Sequence, residues 1–175
     1  MRILSLYDIS GVWSQPYAEA GYVVHRVDLS AGMDVRLLKA PTVPIHGILA
    51  APPCTVFANS GNRWPRSDEE IMEGLSMVDA VVRLVWACKP KWWVIENPAG
   101  KLKHFLGEPR LRFDPCDYGD PYTKKTCLWG KFTVPARQPV EPTEGSKMHK
   151  LSSSAQYERA VTPPGFARAF FEANP

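Results

Sequence analysis

The feature that most restricts the fold of this chain is the order of its first three apolar runs. Residues 2–6, 22–27 and 45–50 are each too short for an ordinary helix and rich in Ile, Leu and Val, so each reads as a short buried strand. Between the first two, residues 14–20 can form a helix that Gly21 ends. Strand, turn, helix, strand is a βαβ unit, which demands a parallel sheet with a right-handed crossover. A chain of 175 residues, 45% hydrophobic and 22% charged, has the size and composition to bury a core around such a sheet. No apolar run approaches the roughly 18–20 residues of a membrane span, and Asp8 arrives too early for a signal peptide. The expectation is one cytoplasmic α/β domain over 1–175 with no membrane partner.

Further along, Ser67 and Glu70 are spaced as a capping box opening a helix. Ile71, Leu75, Val78, Val82, Val85 and Trp86 follow at three- and four-residue intervals as its core-facing stripe, until Lys89-Pro90 stops it. Residues 91–95 read as another buried strand, ending at Glu96-Asn97-Pro98; later strands are expected around 110–114 and 126–129, and a last helix at 166–173. Pro135, Pro139, Pro142 and Gly145 make 134–146 an extended surface segment. The four cysteines, Cys54, Cys88, Cys116 and Cys127, form no Cys-x-x-Cys pair, so neither a zinc site nor a disulfide framework is expected, and Cys88 reads as a small core residue. A net charge of +3 admits a polyanionic partner without identifying one.

The polar residues at strand ends are the candidates for chemistry, because open α/β sheets bind ligands at the carboxyl ends of their strands. After the first strand, Ser10-Gly11 precedes the helix, where glycine lets backbone approach a ligand. Asp28, at the end of the second strand, is placed either to accept from ribose hydroxyls or simply to meet solvent. Pro52-Pro53 stiffens the backbone before Cys54, whose thiol is either an inert loop sulfur or, near positive charge, a nucleophile. Glu96 leaves a hydrophobic strand, where partial desolvation raises a carboxyl pKa. Lys124 and Lys125 follow the turn Asp117–Pro121 and can hold anionic groups or mark a solvated tip.

Taken together and in this order, these segments resemble the cytosine-C5 DNA methyltransferase family. Ser10-Gly11 matches its first motif, Asp28 its second, and Met33-Asp34-Val35-Arg36 its third. Pro52-Pro53-Cys54 matches the catalytic fourth motif and Glu96-Asn97 the sixth, preceded by Lys89-Pro90-Lys91 as in the family; Tyr118-Gly119-Asp120-Pro121 opens the eighth, and Arg159-Ala160-Val161-Thr162-Pro163 is similar to the ninth. The resemblance implies a Rossmann-like class I methyltransferase fold, mostly parallel and flanked by helices, and S-adenosylmethionine as cofactor. Cys54 would be the nucleophile, Glu96 and Asn97 its catalytic companions. Ser10, Gly11, Trp13, Asp28, Asp34 and Pro52 would bind the cofactor, and Lys124, Thr126, Arg63 and Trp64 the substrate.

The departures from the family shape the expected substrate. Tyr122-Thr123-Lys124-Lys125-Thr126 stands where the family has Gln-x-Arg-x-Arg, so Lys124 offers a point charge without a bidentate fork and Thr126 replaces an arginine. Trp13-Ser14 replaces Gly-Gly in the first motif, and no tenth motif follows Phe171. The long target-recognition region between the eighth and ninth motifs is missing, with the Pro-rich 134–146 in its place, a phage-like compaction. This implies single-stranded or weakly selected DNA as partner, or a separate recognition subunit. A catalytically impaired module binding nucleic acid or a partner, and an enzyme for free cytosine nucleotides or RNA, are the rival readings.

Overall fold

The computed structural model describes residues 1–59, 65–146 and 160–175. Its strands are β1 (Arg2–Leu6), β2 (Val23–Val27), β3 (Gly47–Ala50), β4 (Trp92–Pro98), β5 (Leu111–Phe113) and β6 (Thr126–Lys131), in one six-stranded sheet of order β2-β1-β3-β4-β6-β5. β1 pairs in parallel with both β2 and β3, and β3 with β4; β6 is antiparallel to both its neighbours. The chain moves outward from β1 to β2, then back past β1 to β3. That reversal falls between β1 and β3, and doubly wound sheets take their ligands in the crevice beyond the carboxyl ends of the strands at such a point.

Side chains alternate between two cores, one on each face of the sheet. Leu4, Leu6, Ile48, Ala50, Ile95 and Trp129 pack on the face covered by α2 (Asp68–Cys88), with Val78, Val81 and Leu84 of that helix. Their sequence neighbours Ile3, Leu49, Val94 and Leu128 face an aromatic core with Trp13, Tyr17 of α1 (Gln15–Glu19), and Phe166 and Phe170 of the last helix, here α4 (Pro164–Ala173). Phe166 stacks on Phe113 with centroids 4.2 Å apart, and truncating a ring so enclosed costs about 3–5 kcal/mol. The Tyr17 hydroxyl donates to the Asn174 carbonyl at 2.9 Å, joining α1 to the end of α4. A short helix, α3 (Lys103–Leu106), follows β4.

The Ser67–Glu70 capping box forms as the sequence implies. The stripe on α2 is rotated, however: Gly74, Val78, Val81 and Leu84 are buried, while Val82 is 41% and Trp86 78% exposed. Gly74 causes the shift, since its missing side chain lets Val56 and Phe57 come against the helix. β3 starts at Gly47, two residues later than expected, and the Trp92 ring lies where a side chain at 47 would stand. β6 extends to Lys131 through pairing with β4 from Trp93↔Lys131 to Pro98↔Thr126. α4 begins at Pro164, whose fixed φ suits the first helical turn. Residues 134–146 are irregular, tied to the 116–121 segment by Gln138 N–H to the Asp117 carbonyl, Val140 N–H to that of Cys116 and Glu144 N–H to that of Pro121. No helix among the described residues is long and apolar enough to cross a membrane.

Candidate active site

Cys54 is positioned by the loop that leaves β3. Ala51 N–H donates to the Leu6 carbonyl, two prolines follow, and Cys54 then turns the chain: its carbonyl accepts from both Phe57 N–H and Ala58 N–H at 2.9 Å. Phe57, 1% exposed, roots the turn in the α2-side core. The loop is sewn to the segment beyond β4 by Lys101 N–H to the Phe57 carbonyl at 2.7 Å and by the Ala58↔Gly100 bridge. A Cβ at Gly100 would collide with the Phe57 carbonyl, so only glycine permits this approach. The Asn97 side chain, fully buried, donates from Nδ2 to the Pro52 carbonyl at 2.9 Å. This one bond fixes the backbone two residues before Cys54 to the residue that follows Glu96. The Cys54 side chain itself is half-buried.

Alternation along β4 puts Glu96 on the face opposite Asn97, beside Leu128 of β6. Its side chain is 13% exposed, with Lys124 Nζ 3.9 Å from Oε1. Burial pushes its carboxyl above the usual glutamate range, and the Lys124 charge only partly opposes this. The chain thus holds an acid that keeps its proton longer than an exposed glutamate does, next to a buried ammonium. Lys124 and Thr126, both buried, sit before and at the start of β6, and Ala99 N–H donates to the Lys125 carbonyl, tying that turn to β4. The Thr126 hydroxyl donates to the Lys124 carbonyl at 2.7 Å and is 1% exposed. Thr126 therefore braces the lysine's backbone, and its side chain is enclosed.

The turn after β1 is organised by Asp8. Its buried carboxylate accepts from Gly11 N–H at 2.9 Å, Ser14 N–H at 3.3 Å, Ser14 Oγ at 2.7 Å and Ser5 Oγ at 2.9 Å. Ser10 Oγ lies 3.5 Å from it and accepts from Val12 N–H. Gly11 has φ +72, and the Arg26 guanidinium lies where its side chain would be. Donors that the sequence assigned to a ligand are thus already used within the protein. Trp13 is 1% exposed and packs on Phe166 and Phe170, so its ring belongs to the aromatic core. At the end of β2, Asp28 is half-exposed and accepts from Ser30 N–H and Ser30 Oγ, both on Oδ1. Asp34 accepts from Arg36 N–H and pairs with the Arg36 guanidinium at 2.7 Å, a hydrogen bond that holds its carboxyl below the usual range.

Arg63, Trp64 and Arg159 lie outside the described residues. Two residues of consequence escape a sequence reading. Asp8 could have been found, because an acid directly before Ser-Gly invites an Asx-type turn. Tyr7 could not: it sits at the carboxyl end of β1 with φ +59, a left-handed conformation rare outside glycine, and its hydroxyl donates to the Met77 carbonyl on α2 at 3.1 Å.

No protein-family model and no curated protein matches the sequence. Among solved structures, a candidate DNA modification methyltransferase encoded within an Escherichia coli prophage superimposes with a TM-score of 0.53 at 20% identity. The match covers 89% of this chain. The two share a fold. The chain spans about half of that methyltransferase, 49% of its length. A mostly parallel sheet flanked by helices is the fold class expected from the sequence.

Proposed function

We propose that this protein transfers a methyl group from S-adenosylmethionine to C5 of cytosine in DNA, through a covalent adduct on Cys54. The observation that carries the reading is the Asn97–Pro52 hydrogen bond, which keeps the Cys54 loop and the Glu96 strand end in fixed register at the ligand end of the sheet. The likeness to a methyltransferase fold and the order of the sequence motifs support it.

The residues around the crevice suit this cofactor. S-adenosylmethionine carries a sulfonium and an ammonium but no phosphate, and it supplies an activated methyl group when bound. A turn whose N–H groups already serve the Asp8 carboxylate is a poor grip for a pyrophosphate and a compatible neighbour for a cation. Asp28 would receive the ribose hydroxyls on Oδ2, with Ser10, Gly11, Asp34 and Pro52 around the rest of the cofactor.

Cytosine C5 is a weak nucleophile. Addition of the Cys54 thiolate at C6 turns C5 into an enamine carbon that can accept a methyl cation. Glu96, whose burial favours the protonated form, would share a proton with N3 and offset the charge that develops on the ring. Lys124 stands beside it, its Nζ 3.9 Å from Oε1, as the positive group of the site. A base then takes the C5 proton, the C6–S bond breaks to restore the Cys54 thiolate, and the proton shared with N3 returns to Glu96. For C6 to meet the thiol, the base must be flipped from a duplex or already single-stranded. A DNA strand without a protein-imposed sequence context is the substrate we favour, with target selection left to a separate subunit if one operates.

The test is incubation with radiolabelled S-adenosylmethionine and, in parallel, duplex DNA, single-stranded DNA and dCMP. Oligonucleotides carrying 5-fluorocytosine should arrest the reaction as a covalent protein–DNA adduct. Cys54→Ala should abolish both adduct and label transfer. Cofactor binding with no adduct and no transfer on any of the three would leave a binding module in place of an enzyme.

A further inference from the structure

A cleft of about 390 Å³ opens where the Cys54 loop meets the segment that continues β4. Asn59 and Gly100 form part of its lining; Lys101, Lys103, His104 and Arg112 stand around it, and none of the described lining residues is acidic. The lining is continuous with the candidate active site: Asn59 N–H donates to the Ala99 carbonyl at 3.3 Å, and Ala58 bridges Gly100. Asn59 is five residues from Cys54, and Ala99 three from Glu96. Glu108, next to the lining residue Pro109, is engaged by Arg112. That hydrogen bond is the main reason its carboxyl lies below the usual range.

The geometry points to a subsite for a nucleotide flanking the target base: this cleft holds the phosphodiester backbone of a single DNA strand whose cytosine lies at Cys54. This rests on the function proposed above and adds to it the path of the substrate. Two features favour a strand over a lone anion. The volume exceeds that of one phosphate and falls in the range of small-ligand clefts. The basic side chains come from separate segments, Lys101 and Lys103 from the β4 extension and α3 and Arg112 from β5, so the charge is shared among segments and not gathered on one turn. A cationic groove leading to a base pocket is the common arrangement for single strands.

The test uses a fluorescein-labelled oligothymidylate, which contains no cytosine and so reads the cleft independently of methyl transfer. Binding by wild type, by Lys101→Glu/Lys103→Glu and by Lys89→Glu/Lys91→Glu is followed by fluorescence anisotropy across a salt series. The last pair removes equal charge at the opposite end of the sheet. The cleft pair should weaken binding about tenfold or more near 0.1 M salt and flatten the log–log salt slope by about 1.4, two phosphate contacts at about 0.7 each. Lys101→Gln/Lys103→Gln should shift both readings the same way by a smaller amount. Equal loss in the distal pair, unchanged binding in the cleft pair, or tighter binding of a duplex of equal length would overturn the assignment. A wild type that binds the strand through the cleft yet traps no 5-fluorocytosine adduct would refute the chemistry alone.

Discussion

At the end of β4, Asn97 is fully buried and spends its amide on the carbonyl of another strand's loop, whereas at the end of β2 Asp28 is half-exposed and spends its carboxylate on its own next turn. The same contrast extends to their neighbours. Glu96 and Lys124 are shielded and long-range, brought together by the antiparallel β6, while Asp34 and Arg36 pair within three residues at the surface. One side of the crevice is held by the core and the other by local turns. The nucleophile side is therefore the rigid half, where geometry must be kept within a fraction of an ångström, and the cofactor side can yield as a ligand enters.

Substitutions on the two sides should separate accordingly. The largest effect is expected from Glu96→Gln, with turnover down at least a hundredfold and cofactor affinity by calorimetry unchanged; equal loss of both would place Glu96 in support of the fold instead. The pH profile sharpens this. Because burial raises the Glu96 pKa, the folded protein binds its proton more tightly than the unfolded chain. That contribution to stability is complete below the ordinary glutamate range and is lost as pH rises through the raised value. Methyl transfer should show a falling limb in the same direction, absent from Glu96→Gln.

Next in size is Asn97→Ala. It strands the buried Pro52 carbonyl at a cost of about 1–3 kcal/mol, which for a chain of this length lowers Tm by several degrees, and it should slow adduct formation beyond what the lost stability explains. The smallest effect is expected at Asp28. Asp28→Ala should weaken S-adenosylmethionine binding about tenfold while moving Tm little, since the capping bonds it loses are exposed to water. A Tm loss at Asp28 as large as at Asn97 would erase the contrast between the two halves.

The parts of this arrangement that were legible in the sequence are those set by local pattern. The βαβ opening, the Ser67–Glu70 cap and the placement of Cys54 and Glu96 after short apolar runs all follow from spacing of neighbouring residues. What was hidden depends on contacts between distant segments. Trp13 looked available in a strand–helix turn, but Phe166 and Phe170, about 150 residues onward, enclose it. Thr126 was read as facing a substrate, and the β4–β6 register buries it. The α2 stripe was rotated by one glycine whose partners, Val56 and Phe57, come from the Cys54 loop. None of these can be computed from a window of a single helix or strand.

Gly100 carries a consequence for relatives of this chain. Since nothing heavier than hydrogen fits between position 100 and the Phe57 carbonyl, any larger residue there would lever the sulfur-bearing loop off the strand that carries the acid. Drift at this position would thus disable the reacting pair while leaving both of its members in the sequence, so an intact cysteine and glutamate are not enough to mark a working homologue.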